Sequence, residues 1–192
     1  MKLLKTVAVF VFLSACSDSH AAKTSFEFEK MDFKYRNISA EQSTIVGLDS
    51  GSLKSVGKIK GWGVIETSYS SNPKWADDVD VKYYVLLKGE KGGKPVMLTG
   101  SNIYMNVREG RQHISNMYIP PQVISRYGEV IIIRAEIWYN GIIQDAVYWP
   151  KAKGVKSAWW TQVKPLQGSL FNRYYTPFEH EAQMKEEMIK VE

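Results

Sequence analysis

Hydrophobic and polar positions alternate along most of this chain with a period of two. Val79, Val81, Tyr83, Val85 and Leu87 fall on one side of a segment, and Asp80, Lys82, Tyr84, Leu86 and Lys88 on the other. A β-branched or aromatic row backed by a mixed row is a half-buried strand. Ser25 to Tyr35 begins the same way, with Phe26 and Phe28 opposite Glu27 and Glu29. The phase then slips by one and Met31, Phe33 and Tyr35 continue it, which predicts a bulge. Further strands are expected at Ser43–Leu48, Lys58–Tyr69, Pro95–Thr99, Asn102–Val107 and His113–Ile119. Turn clusters separate them at Asp49–Ser52, Gly89–Gly93 and Arg108–Arg111, and Gly100 divides one pair. Pro120-Pro121 ends the last, because proline cannot donate to a ladder.

Glu129–Tyr139 and Ile142–Trp149 are joined by Asn140-Gly141. This dipeptide tolerates the positive φ that a two-residue hairpin turn demands. A tight turn sets the register: Tyr139 faces Ile142, Ile137 faces Gln144, Ala135 faces Ala146 and Ile133 faces Tyr148. That row, with Ile131, is the expected core face. The other row pairs Trp138 with Ile143, Arg134 with Val147 and Glu136 with Asp145, a like-charge pair that should be unfavourable without a cation beside it.

Seven to nine strands with turns every 8–12 residues predict an all-β fold, an immunoglobulin-like antiparallel β-sandwich. A closed barrel is the alternative. No helices alternate with the strands, which excludes a parallel α/β sheet. The sandwich is expected at 24–150, followed by a C-terminal extension at 151–192 that packs on it. The extension is aromatic, with Trp159, Trp160, Phe171, Tyr174 and Tyr175, and ends in a predicted helix to about Lys190. Thr176, Pro177 and Glu179 form the start signal: cap, first-turn proline and capping box.

Residues 1–22 read differently. Met1–Lys5 is basic, Thr6–Leu13 is apolar but too short to span a bilayer, and small residues follow. This is an export signal. Leu13-Ser14-Ala15-Cys16 resembles a bacterial lipobox, which makes Cys16 the expected lipidation site and outer-membrane anchor. Ordinary cleavage after Ser19-His20-Ala21, giving a periplasmic or surface protein, is the rival. Cys16 is the chain's single cysteine, so disulfides and thiol catalysis are both ruled out. The net charge of +5 includes Lys2 and Lys5 of the signal, leaving too mild an excess to argue for nucleic acid.

The chain carries few residues in patterns that catalysis or metal binding requires. His20, His113 and His180 have no second ligand at metal spacing. There is no Gly-x-Ser-x-Gly elbow, and Gly89–Pro95 lacks the phosphate-loop spacing. Asp77, Asp78 and Asp80 read as a charged strand entrance rather than a calcium site. No enzyme, metal or cofactor is therefore expected. The informative surface is the second face of the strands. Lys82, Tyr84, Arg134, Trp138 and Trp149 would line it, an aromatic face with cations of the kind that binds a protein partner or a glycan. Alternatively the C-terminal segment folds back and covers it.

With the lipobox-like signal, the strands Val79–Lys88 and Glu129–Trp149 and the aromatic tail, the chain resembles secreted immunoglobulin-like proteins of mucus-dwelling, Verrucomicrobia-type gut bacteria. Those are encoded beside type IV pilus assembly components. The resemblance implies a pilus-associated role. The apolar run is too short, and lacks the following glutamate, for an ordinary type IV pilin, so an accessory role is expected. Partners would be envelope proteins or a glycan, and the membrane would be touched only through the N-terminal lipid.

Overall fold

The computed structural model describes residues 24–37, 61–89, 93–151, 158–179 and 188–189. The signal, Cys16 and the expected strand at Ser43–Leu48 lie outside the described residues. Within them the protein is an all-β sandwich. One antiparallel sheet holds β1 (Phe26–Arg36), β2 (Trp62–Ala76) and β5 (Val107–Ile119), in the order β1-β2-β5. The second is ordered β7-β6-β3-β4-β8, from β3 (Val79–Leu87), β4 (Val96–Met105), β6 (Val130–Tyr139), β7 (Ile142–Trp149) and β8 (Pro165–Leu166). A ninth strand, β9 (Met188–Ile189), also pairs with β4. The arrangement of the first seven strands is the immunoglobulin one, with the fourth strand in the second sheet.

The alternation of β3 is realised in full: Val79, Val81, Tyr83, Val85 and Leu87 are all buried between the sheets. They meet Phe26, Ile65, Tyr69, Met117 and Ile119 from the first sheet. The core also holds a polar staple. Tyr83 on one sheet donates to Ser115 Oγ at 2.7 Å on the other, and its hydroxyl lies 2.7 Å from Thr67 Oγ1. Asn102 Nδ2 reaches the Asn116 carbonyl at 2.8 Å. Buried hydroxyls and amides demand such partners, and here they also tie the two layers in register.

The bulge in β1 falls where the phase slips, between Phe28 and Lys30. Four expectations are corrected. Gly100 does not divide two strands: β4 runs through it, because a Cβ there would stand 2.8 Å from Met117 Cε and 2.9 Å from Leu170 Cβ. Glycine here makes room for packing rather than a turn. The segment Arg108–Arg111 is likewise inside β5. Ile131 is 45% exposed rather than in the core. The fourth correction concerns the hairpin. Asn140 and Gly141 take φ of 52° and 73°, as the turn requires. A bulge at Gln144 then shifts every later pair by one, so that Ile137 faces Asp145, Glu136 faces Ala146, Ala135 faces Val147 and Arg134 faces Tyr148. The like-charge pair of Glu136 and Asp145 is thereby avoided. Asp145 instead accepts the Phe28 amide of β1 at 2.8 Å, and Gln144 accepts the Ser25 amide at 3.0 Å. The extra residue closes one side of the sandwich.

The tail closes the other side. Pro165–Leu166 runs parallel to Met97–Leu98 of β4. Leu170 enters the core beside Gly100, Phe171 bridges Tyr118 of β5, and Phe178 is fully buried with Trp62, Val64 and Tyr118 on the outer face of the first sheet. Thr176 Oγ1 accepts from the Phe178 amide at 3.2 Å, as its capping role requires. The helix expected beyond it is not realised to Lys190: residues 180–187 lie outside the described residues, and Met188–Ile189 are extended, paired with Tyr104–Met105.

Candidate functional site

The outer face of the second sheet carries the aromatic and charged side chains singled out in the sequence. Across it the register aligns Ser101, Lys82, Glu136 and Ala146 in one row. A second row aligns Thr99, Tyr84, Arg134 and Tyr148. The strand pleat puts these alternate residues on the solvent side.

Glu136 is the hub. Its carboxylate accepts from Arg134 Nε at 2.6 Å, Trp138 Nε1 at 2.9 Å and Tyr84 OH at 3.4 Å. Arg134 and Glu136 are both buried, at 8% and 4% exposure. Arg134 also donates to the Tyr148 hydroxyl and stacks under the Trp160 ring at 3.9 Å. A buried pair of this kind holds only when the remaining donors and lone pairs are met, and here they are met by neighbours in the same face. Trp160 comes from the tail, beside Trp159, so the tail covers the Arg134 end of the face.

The other end is less covered. Lys82, Tyr84 and Trp138 are half-buried. The Lys82 ammonium sits 4.4 Å above the Trp138 ring and 3.5 Å from Asp80. Burial raises the Asp80 carboxyl above its ordinary value, and Lys82 partly offsets this. Burial also raises the Tyr84 phenol, with the Glu136 charge adding to it. Beside these residues runs a shallow groove of about 170 Å³, lined by Lys82, Tyr83, Tyr84, Thr99, Gly100 and Ser101.

Four of the five residues expected on this face, Lys82, Tyr84, Arg134 and Trp138, are brought together there. Trp149 is not. The shifted register turns Val147 and Trp149 inward, where Trp149 packs edge-on against Phe33 at 5.0 Å. Glu136 lies in the row expected from the sequence, with Arg134 as the cation beside it. Tyr148 and Trp160 complete the cluster, and their places follow from the bulge and the returning tail. Among the described residues no group of three or more His, Cys, Asp or Glu is placed to hold a metal ion, and no helix is long and apolar enough to cross a membrane.

A protein-family model matches residues 19–183 of this chain. A crystal structure of a protein from Akkermansia muciniphila is similar in fold, with a TM-score of 0.65 at 20% identity. That likeness covers 87% of this chain and 93% of the other. No curated protein matches.

Proposed function

The chain belongs to the family that this model describes, and from that premise we propose that it is an exported, non-catalytic envelope protein that serves assembly of a pilus or another surface structure by holding protein partners. The observation that carries this reading is the engaged state of the outer face. Glu136 accepts from three neighbours and Lys82 lies between Asp80 and Trp138, so the face offers shape and aromatic surface rather than a poised acid, base or nucleophile. Aromatic side chains and arginine are the types that dominate interface energetics. Cys16 is the attachment point in this reading, with its lipid tethering the sandwich to the outer membrane.

Crosslinking in intact cells followed by co-purification tests it. Pilus or surface-assembly proteins are expected to be recovered, and Tyr84→Ala with Lys82→Ala to reduce that recovery. Recovering no envelope protein would overturn the proposal. Cys16→Ala is expected to release the protein from the membrane fraction; unchanged attachment would overturn the lipid anchor alone.

The groove favours one second reading, a glycan. Tyr84 offers an aromatic ring, Thr99 and Ser101 are hydroxyl-bearing, and Lys82 carries a cation. The Trp138 face is less available for a sugar, because the Lys82 ammonium already occupies it. Glycan-array binding abolished by Tyr84→Ala would favour this reading, and an empty array would remove it.

A further inference from the structure

The β6–β7 hairpin ends in two adjacent exposed isoleucines, Ile142 at 64% and Ile143 at 41%. A third exposed apolar side chain, Trp75 at 48%, stands near the end of β2, with the Arg108 guanidinium 5.0 Å from its ring. The registers place these residues at the same end of the sandwich. Phe26 pairs with Ser71 four residues before Trp75, and its ring meets Tyr139 at 5.1 Å, next to the hairpin turn. The described chain also enters the domain there: the Ser25 amide donates to Gln144, and Asn72 holds the Thr24 carbonyl at 2.8 Å.

We infer that this end of the sandwich docks on a lipid bilayer, with Ile142 and Ile143 inserted among the acyl chains and Trp75 at the headgroup level. The inference rests in part on Cys16 being the anchor. Seven residues, eight Cα steps, separate Cys16 from Thr24, a reach of at most roughly 28 Å when fully extended. A tether that short keeps the chain's entry point, and hence the isoleucine tip, close to the membrane. It also raises the local lipid concentration, so an insertion too weak to hold a free protein suffices. Isoleucine is apolar enough to favour the acyl region, while a tryptophan with a neighbouring cation suits the interface. The tip differs in this from the outer face of the second sheet, whose aromatic and charged groups are engaged with one another.

The test reconstitutes the lipidated protein in phosphatidylethanolamine–phosphatidylglycerol vesicles doped with brominated lipid. Tryptophan emission is expected to be quenched. The quenched component should disappear in Trp75→Phe and fall severalfold in Ile142→Ser/Ile143→Ser, with the melting transition unchanged because both isoleucines are exposed. Absence of quenching while the protein remains anchored would overturn the inference, as would a Trp75 component indifferent to the serine substitutions. Mass analysis of Cys16 separates the two readings. If Cys16 carries no lipid, the anchor fails, and the tip is judged by flotation of the cleaved protein with the same vesicles. Flotation weakened roughly tenfold or more by the serine substitutions supports the tip, and no flotation of the wild-type protein overturns it.

Discussion

The guanidinium of Arg134 lies 3.9 Å from the centre of the Trp160 ring, though the two residues belong to different parts of the chain. Arg134 is in a central strand and Trp160 in the tail that returns over it. Trp160→Ala is expected to destabilise the fold by about 2 kcal/mol, from the lost stacking and the water admitted to a buried ion pair. Urea denaturation measures this. A change below about 0.5 kcal/mol, the usual range of a surface substitution, would mean that the tail does not shield the pair.

Glu136 accepts three hydrogen bonds, and its removal leaves Arg134 buried with a positive charge. Glu136→Ala is therefore expected to cost about 3–5 kcal/mol. Replacing both partners by Arg134→Met and Glu136→Leu should recover most of that loss, because no uncompensated charge remains. A double-mutant cycle reads the coupling directly. Additive effects would contradict the pairing.

Gly100→Ala would put a methyl 2.8 Å from Met117 Cε and 2.9 Å from Leu170 Cβ. Overpacking of this kind costs about 1–3 kcal/mol. Shortening the neighbour by Leu170→Ala is expected to relieve part of it, so the two substitutions should be non-additive. Chemical denaturation of the four proteins in the cycle checks this.

Tyr84 has its phenol raised above the ordinary tyrosine value, first by burial and then by the Glu136 charge. The folded state thus holds this proton more tightly than the unfolded state. Its contribution to stability is present below the unfolded value and is lost as pH rises through the folded one. Tyr84→Phe should flatten the alkaline limb of a stability–pH curve while leaving the neutral region nearly unchanged. An identical alkaline limb in both proteins would refute this.

Much of the sandwich was legible in the sequence because its signals are local. The alternation in Val79–Leu87, the phase slip near Phe28 and the Asn140-Gly141 turn each lie within a dozen residues, and each is realised. The face at Lys82, Tyr84, Arg134 and Trp138 was legible for the same reason. The position of Trp149 was not, because a single extra residue at Gln144 inverts every side chain after it. Its cause is remote: Gln144 and Asp145 turn to the amides of Ser25 and Phe28, more than a hundred positions earlier in the chain. The continuous β4 was hidden similarly. Glycine at 100 reads locally as a breaker, and only Met117 of β5 and Leu170, brought back by the tail, explain it.

The two sides of the sandwich differ in when they can form. The hairpin pairs Tyr139 with Ile142, an encounter available almost as soon as both exist. The outer edge of β4 waits instead for Pro165 and Ile189, which stand 68 and 85 positions further along the chain than their partners Met97 and Tyr104. Closing loops of that length is entropically slow, so the clasp belongs to the late stage of folding. Until it shuts, the β4 edge and the cleft that receives Leu170 stand open with unpaired backbone, a template on which another strand could add. A chain cut before Leu170 would be left permanently in that condition, sticky at one edge, and a natural substrate for degradation.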